Sequence, residues 1–103
     1  MILPLQLWLY DYYTSAGEVV LDPMAGSGTA LVGCSMGRHV ICVELEPKFV
    51  DMMKGNWEKI KQRGPMMGCE MGQATIIQGD ARSLGSLLVD KIITSPPYAE
   101  ANK

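Results

Sequence analysis

Four short apolar runs, separated by stretches long enough for helices, constrain this chain more than any other feature. Glu18-Val19-Val20-Leu21-Asp22, His39 to Glu44, Ala74 to Gln78 and Asp90 to Thr94 each end at a polar or turn-forming residue. Short β-branched runs bounded in this way read as buried strands. Pro4 suits the first turn of a helix to about Thr14, with Leu5, Leu9 and Tyr12 or Tyr13 on one face. A second helix is expected from Thr29 to about Met36, capped by Gly37 and with Arg38 at the favoured end of its dipole. Glu46-Pro47 opens a third, to about Gln62, and a short one is expected around Ser83–Leu88. The order α-β-α-β-α-β-α-β calls for parallel strands joined by right-handed crossovers, hence an α/β fold with a doubly wound parallel sheet.

Composition narrows the class. A chain of 103 residues, nearly half apolar, makes one small domain. Nine basic against eleven acidic residues argue against an autonomous nucleic-acid binder that works through phosphate contacts. Residues 1–52 carry two bases against six acids and residues 53–103 seven against five, an asymmetry too mild to name a partner. Cys34, Cys42 and Cys69 lack CxxC spacing, so no zinc site or disulfide framework is expected, and reduced thiols imply a cytoplasmic setting. No apolar run is long enough for a membrane span.

The chemistry gathers at the ends of the strands. Asp22-Pro23-Met24-Ala25-Gly26-Ser27-Gly28-Thr29 places two glycines between a strand and a helix, where a missing Cβ permits a sharp bend and close approach of a ligand. No Lys follows the second glycine as a phosphate-binding loop requires, and Leu31 stands where a dinucleotide fingerprint has its third glycine. Asp22 would repel a pyrophosphate and attract a cationic or amine-bearing ligand. Glu44 ends the second strand, where a carboxylate accepts from ribose hydroxyls. Asp80, in Gly79-Asp80-Ala81, ends the third, where it could accept from an adenine amino group or cap a helix. Together these loops describe a crevice for a nucleoside without a phosphate chain.

Ser95-Pro96-Pro97-Tyr98 follows the fourth strand. Two prolines lock two φ angles and remove two donors, leaving carbonyls free to accept. Ser95 Oγ and the Pro96 carbonyl could hold an exocyclic amino group while Tyr98 stacks on its ring. Such an amine is a poor nucleophile, and hydrogen-bonding both its protons would point its lone pair at an electrophile.

The Asp22–Thr29 turn, Glu44, Asp80 and Ser95-Pro96-Pro97-Tyr98, in that order, resemble the DNA amino-methyltransferases that use S-adenosylmethionine. The resemblance covers roughly residues 17 to 98. It implies the Rossmann-like sheet of the class I methyltransferases, truncated after strand four with order 3-2-1-4. Residues 1–16 would be an N-terminal helix, 17–81 the cofactor-binding half, and 90–103 the fourth strand with its loop. It further implies that Asp22, Gly26 and Gly28 hold the methionine part of the cofactor, Glu44 the ribose and Asp80 the adenine. Pro23, Met24, Ala25, Ser27, Thr29 and Ala81 would complete the cofactor contacts. Ser95, Pro96, Pro97 and Tyr98 would form the catalytic loop around a flipped adenine N6 or cytosine N4, as in restriction–modification enzymes. By the same resemblance the chain is a fragment of a catalytic domain, reaching DNA through regions it lacks, with an open edge at strand four for self-association.

Other readings stay open. RNA and protein methyltransferases acting on a guanine N2 or a glutamine amide also place Pro-Pro-Tyr after strand four. A non-catalytic S-adenosylmethionine-binding module is another alternative. A nicotinamide oxidoreductase is disfavoured by Asp22 and the missing third glycine. His39 reads as a strand-edge residue, Cys34 and Cys42 as small core hydrophobes, and Trp8 and Trp57 as core or interface. Lys54, Lys59, Lys61 and Arg63 read as a solvated helix face, and the loop 64–72 as a connection more than a cap on the adenine pocket.

Overall fold

The computed structural model describes residues 3–83 and 89–93. Thr94, the Ser95-Pro96-Pro97-Tyr98 loop and residues 84–88 of the short helix expected after Ser83 lie outside these. The elements are α1 (Leu3–Tyr13), β1 (Val19–Asp22), a 3₁₀ segment (Thr29–Met36), β2 (His39–Glu44), α2 (Pro47–Arg63), β3 (Ala74–Gln78), a 3₁₀ turn (Ala81–Ser83) and β4 (Lys91–Ile92). All strands are parallel, in the order β3-β2-β1-β4, as expected. Register sets Asp22 opposite Cys42 and Glu44 opposite Gln78, so the carboxyl ends of β1 to β3 open on one edge of the sheet.

The expected helix Thr29–Met36 is wound as 3₁₀. Its rise of about 2.0 Å per residue carries eight residues along the sheet about a third farther than α geometry would. Gly37 ends it in the left-handed region at φ 86°, the cap the sequence suggested. In α2, Pro47 stands in the first turn, and Val50, Met53, Trp57 and Ile60 recur at helical spacing to form the stripe that meets the core. Cys34 and Cys42 are fully buried, and desolvation raises the Cys34 thiol to about 11 and pushes Cys42 higher still. Both stay neutral and pack as hydrophobes.

α1 corrects its expected face. Leu5, Tyr12 and Tyr13 are exposed, as is Trp8; Tyr10 and Gln6 are buried, with Leu7 packed beside them against the core. Tyr10 Oη donates to the Ala30 carbonyl at 2.7 Å, and its ring occupies the space a Cβ on Gly33 would need. One long-range hydrogen bond and a glycine on the facing segment thus fix the docking, in place of the stripe expected from Leu5, Leu9 and Tyr12 or Tyr13. The aromatics left outside pack on each other, Trp8 on Tyr12 with ring centres 5.0 Å apart.

Arg38 is buried and does more than complement one dipole. Its Nη1 donates to Met36 O at 2.7 Å, while Nη2 donates to Tyr10 O at 3.0 Å and Thr14 O at 2.7 Å. Nε donates to Thr14 Oγ1 at 2.7 Å. One guanidinium thus gathers carbonyls at the ends of α1 and of the 3₁₀ segment. Loop 64–72 lies at this amino edge, where Met66 N donates to Ser35 O and Gly72 N to Cys34 O, so it does not cap the crevice at the opposite edge. Among the described residues no helix is long and apolar enough to cross a membrane.

Arg38→Ala should therefore cost about 3 kcal/mol or more, because buried carbonyls lose charge-assisted bonds. A urea titration followed by circular dichroism checks this; an unchanged midpoint would remove Arg38 as the tie between α1 and the sheet.

Candidate functional site

The turn after β1 folds back onto the end of β2. Ala25 N donates to Val43 O at 2.9 Å and Gly26 N to Glu44 Oε1 at 2.8 Å. The other oxygen of Glu44, Oε2, accepts from Glu46 N at 3.0 Å, and the Glu44 carbonyl accepts from Gly79 N at 3.0 Å. Glu44 therefore sits at the meeting point of the loops after β1, β2 and β3. Each carboxylate oxygen has capacity for a further donor, so this role leaves room for ribose hydroxyls.

These loops enclose a cavity of about 330 Å³, near the lower end for ligand sites. Pro23, Met24 and Leu45 give it apolar walls, Glu44 and Asp80 its acids, and Arg82, among the described residues, its one cation. Ala81 and Gly79 complete the lining. A flat base fits between apolar walls, the two acids accept from hydroxyl and amino groups, and a pyrophosphate would meet two carboxylates. The donor set thus fits a nucleoside with an uncharged or cationic tail.

The other predicted residues stand around this cavity. Asp22 is buried at the end of β1, with Oδ1 accepting from Met24 N at 3.1 Å, and it lies beneath the turn outside the cavity lining. Ala25 is buried beside it. Gly26 and Gly28 take φ 57° and φ 91°, the left-handed region where glycine is favoured. Gly28 has a further reason to be glycine, and it is packing. A Cβ there would come within 2.5 Å of Met53 Cγ and 3.1 Å of Leu31 Cδ1. Ser27, Gly28 and Thr29 border a separate groove of about 290 Å³ against Asn56, Lys59 and Arg63 of α2.

Beside Leu45 of the cavity wall, two polar site residues escaped the sequence reading. Asn56 donates through Nδ2 to Ser27 O at 2.9 Å and steadies the turn from α2. Its signal was a polar residue three positions after Met53, on the stripe that meets the core. Arg82 is the other. Its Nη2 pairs with Asp80 Oδ2 at 2.7 Å, and the guanidinium holds the Asp80 carboxyl down at about 2. The backbone N of Arg82 also donates to Asp80 Oδ1 at 2.8 Å, so Asp80 acts as a turn cap too.

No protein-family model and no curated protein matches the chain. Solved structures do. A candidate RNA methyltransferase, PH1948 from Pyrococcus horikoshii, is 28% identical with TM-score 0.68, over 94% of this chain and 44% of that one. The M. jannaschii tRNA m1G37 methyltransferase is 18% identical with TM-score 0.68, over 91% of this chain and 27% of that one. A TehB-like SAM-dependent methyltransferase from Corynebacterium glutamicum is 18% identical with TM-score 0.63, over 91% and 45%. The chain spans less than half the length of each of these proteins. Its fold is the class I methyltransferase type of Rossmann-like sheet.

Two outcomes follow from this geometry. Gly28→Ala should lower the melting temperature with no ligand present, and in a double-mutant cycle Met53→Ala should cost less in that background than in the wild type. Additive losses would return Gly28 to a ligand-facing role. The Asp80 carboxyl, followed by NMR, should titrate near 2 in the wild type and move up toward the ordinary aspartate value of 3.8 in Arg82→Ala. Because its folded value is depressed, the stability this pair contributes is present above the unfolded value and is lost as pH falls through about 2.

Proposed function

We propose that this chain is the cofactor-binding part of an S-adenosylmethionine-dependent methyltransferase whose acceptor is an amino group on an RNA base. The observation that carries the cofactor is the cavity at the strand ends, with Glu44 and Asp80 set between apolar walls, two carboxylates that would oppose a phosphate chain. The acceptor class rests on the likeness to PH1948, a candidate RNA methyltransferase. In this reading Glu44 accepts from the ribose hydroxyls, Asp80 from the adenine amino group, and Met24 and Leu45 flank the base. Asp22, buried beneath the turn, supplies negative potential toward a cationic ligand. S-adenosylmethionine, when bound, supplies a methyl group on a sulfonium, which is electrophilic without a metal or a strong acid.

Acceptor chemistry falls to Ser95-Pro96-Pro97-Tyr98. In the sequence-based reading, Ser95 Oγ and the Pro96 carbonyl accept the two amino protons and Tyr98 stacks on the base. The same tetrapeptide, paired with the Asp22–Thr29 turn, favours a second reading in which the acceptor is adenine N6 or cytosine N4 of DNA.

Calorimetry and label transfer test these claims separately. Glu44→Ala removes two hydrogen bonds to a carboxylate, about 1.5 kcal/mol each, and should weaken S-adenosylmethionine roughly a hundredfold. Tyr98→Ala should leave that affinity within about twofold while removing transfer. Radiolabelled methyl transfer, assayed with RNA, DNA and peptide on the continuous reading frame that carries this chain, assigns the acceptor. Label in DNA alone would replace RNA by the second reading, and absence of binding by a folded wild type would end the cofactor claim.

A further inference from the structure

The two acids of the cavity are occupied differently. Both oxygens of Glu44 accept from backbone N–H groups, of Gly26 and Glu46, which are fixed by the fold. Asp80 is held mostly by a side chain. Its Oδ1 accepts from the backbone N of Arg82 at 2.8 Å and from Nε at 3.1 Å, while Oδ2 accepts from Nε at 3.1 Å and from Nη2 at 2.7 Å. A carboxylate offers about four acceptor positions, and here four contacts meet them. Any amino group that is to use Asp80 must therefore take the place of the guanidinium.

Arg82 is built to give way. Its side chain is 89% exposed against 32% for Asp80, so the guanidinium lies on the solvent side of the pair. At that exposure, swinging it outward gives up little contact, whereas the backbone N–H bond from Arg82 stays and keeps Asp80 aimed. We propose that Arg82 is a displaceable latch at the base end of the cavity, competing with the adenine amino group of the cofactor for the Asp80 carboxylate. The latch sets cofactor affinity and makes it salt-dependent. It also gives the unliganded cavity an internal cation in place of an uncompensated acid. This inference rests on the cofactor reading above.

An exposed ion pair is a weak competitor, so the effect is modest: Arg82→Ala should bind about two- to fivefold tighter than wild type. Isothermal titration calorimetry of both proteins with S-adenosylmethionine and with neutral adenosine is the test. A gain for both ligands is expected, and for adenosine it should shrink toward unity between about 0.1 M and about 1 M salt, as the pair in the wild type is screened. A gain for S-adenosylmethionine alone would reflect removal of a positive charge at a distance, and would overturn the latch. Equal or weaker adenosine binding by the variant would overturn it too. Absence of binding to either protein would overturn the cofactor reading and the latch with it. Wild-type binding with an unchanged variant would remove the latch alone.

Discussion

The site depends on one carboxylate that holds its own surroundings together. Glu44 accepts from Gly26 N on the turn after β1 and from Glu46 N at the start of α2, while its carbonyl receives Gly79 N from the loop after β3. Three loops that would otherwise move independently are tied at one residue. The crevice is therefore assembled before any ligand arrives, and a preformed site spares the ordering cost that a floppy one would incur on binding. The same acid has acceptor capacity to spare, so holding the loops and meeting a ribose do not exclude each other.

The two edges of the sheet divide the work. At the amino edge, Arg38 gathers carbonyls from α1 and from the 3₁₀ segment, and Tyr10 reaches Ala30 across the core. These are buried, well-satisfied contacts of the kind that fix a fold. At the carboxyl edge the contacts are more exposed, and they leave acids facing a cavity. This is the usual economy of an open parallel sheet, in which the helices stabilise the faces and the loops beyond the carboxyl ends recognise ligands.

Charge explains what the crevice would accept. Asp22 beneath the turn and the Glu44 and Asp80 carboxylates create a negative site in which, among the described residues, Arg82 alone offers a cation. A polyphosphate is opposed by this field, whereas a nucleoside with a cationic tail is favoured. The Asp80–Arg82 pair lies at the rim, in high dielectric, so it is strong enough to order two side chains and weak enough to exchange.

Much of this was legible in the sequence. The strands His39–Glu44 and Ala74–Gln78, the helix opened by Pro47 and the Gly37 cap follow from periodicity and turn residues, which are local properties, while the order 3-2-1-4 was implied by the resemblance to the amino-methyltransferases. The convergence of Glu44, Asp80 and the glycine-rich turn was legible too, since all three stand at strand ends. Tertiary structure alone decided the face by which α1 docks, the path of the Arg38 guanidinium, the contact of Asn56 with Ser27, the packing need for Gly28 against Met53, and the partner of Asp80. Each of these rests on a distance between side chains and backbone that the fold brings together. Hydrophobic pattern records which residues seek burial, but which atoms meet depends on the sheet's register and the helices' depth.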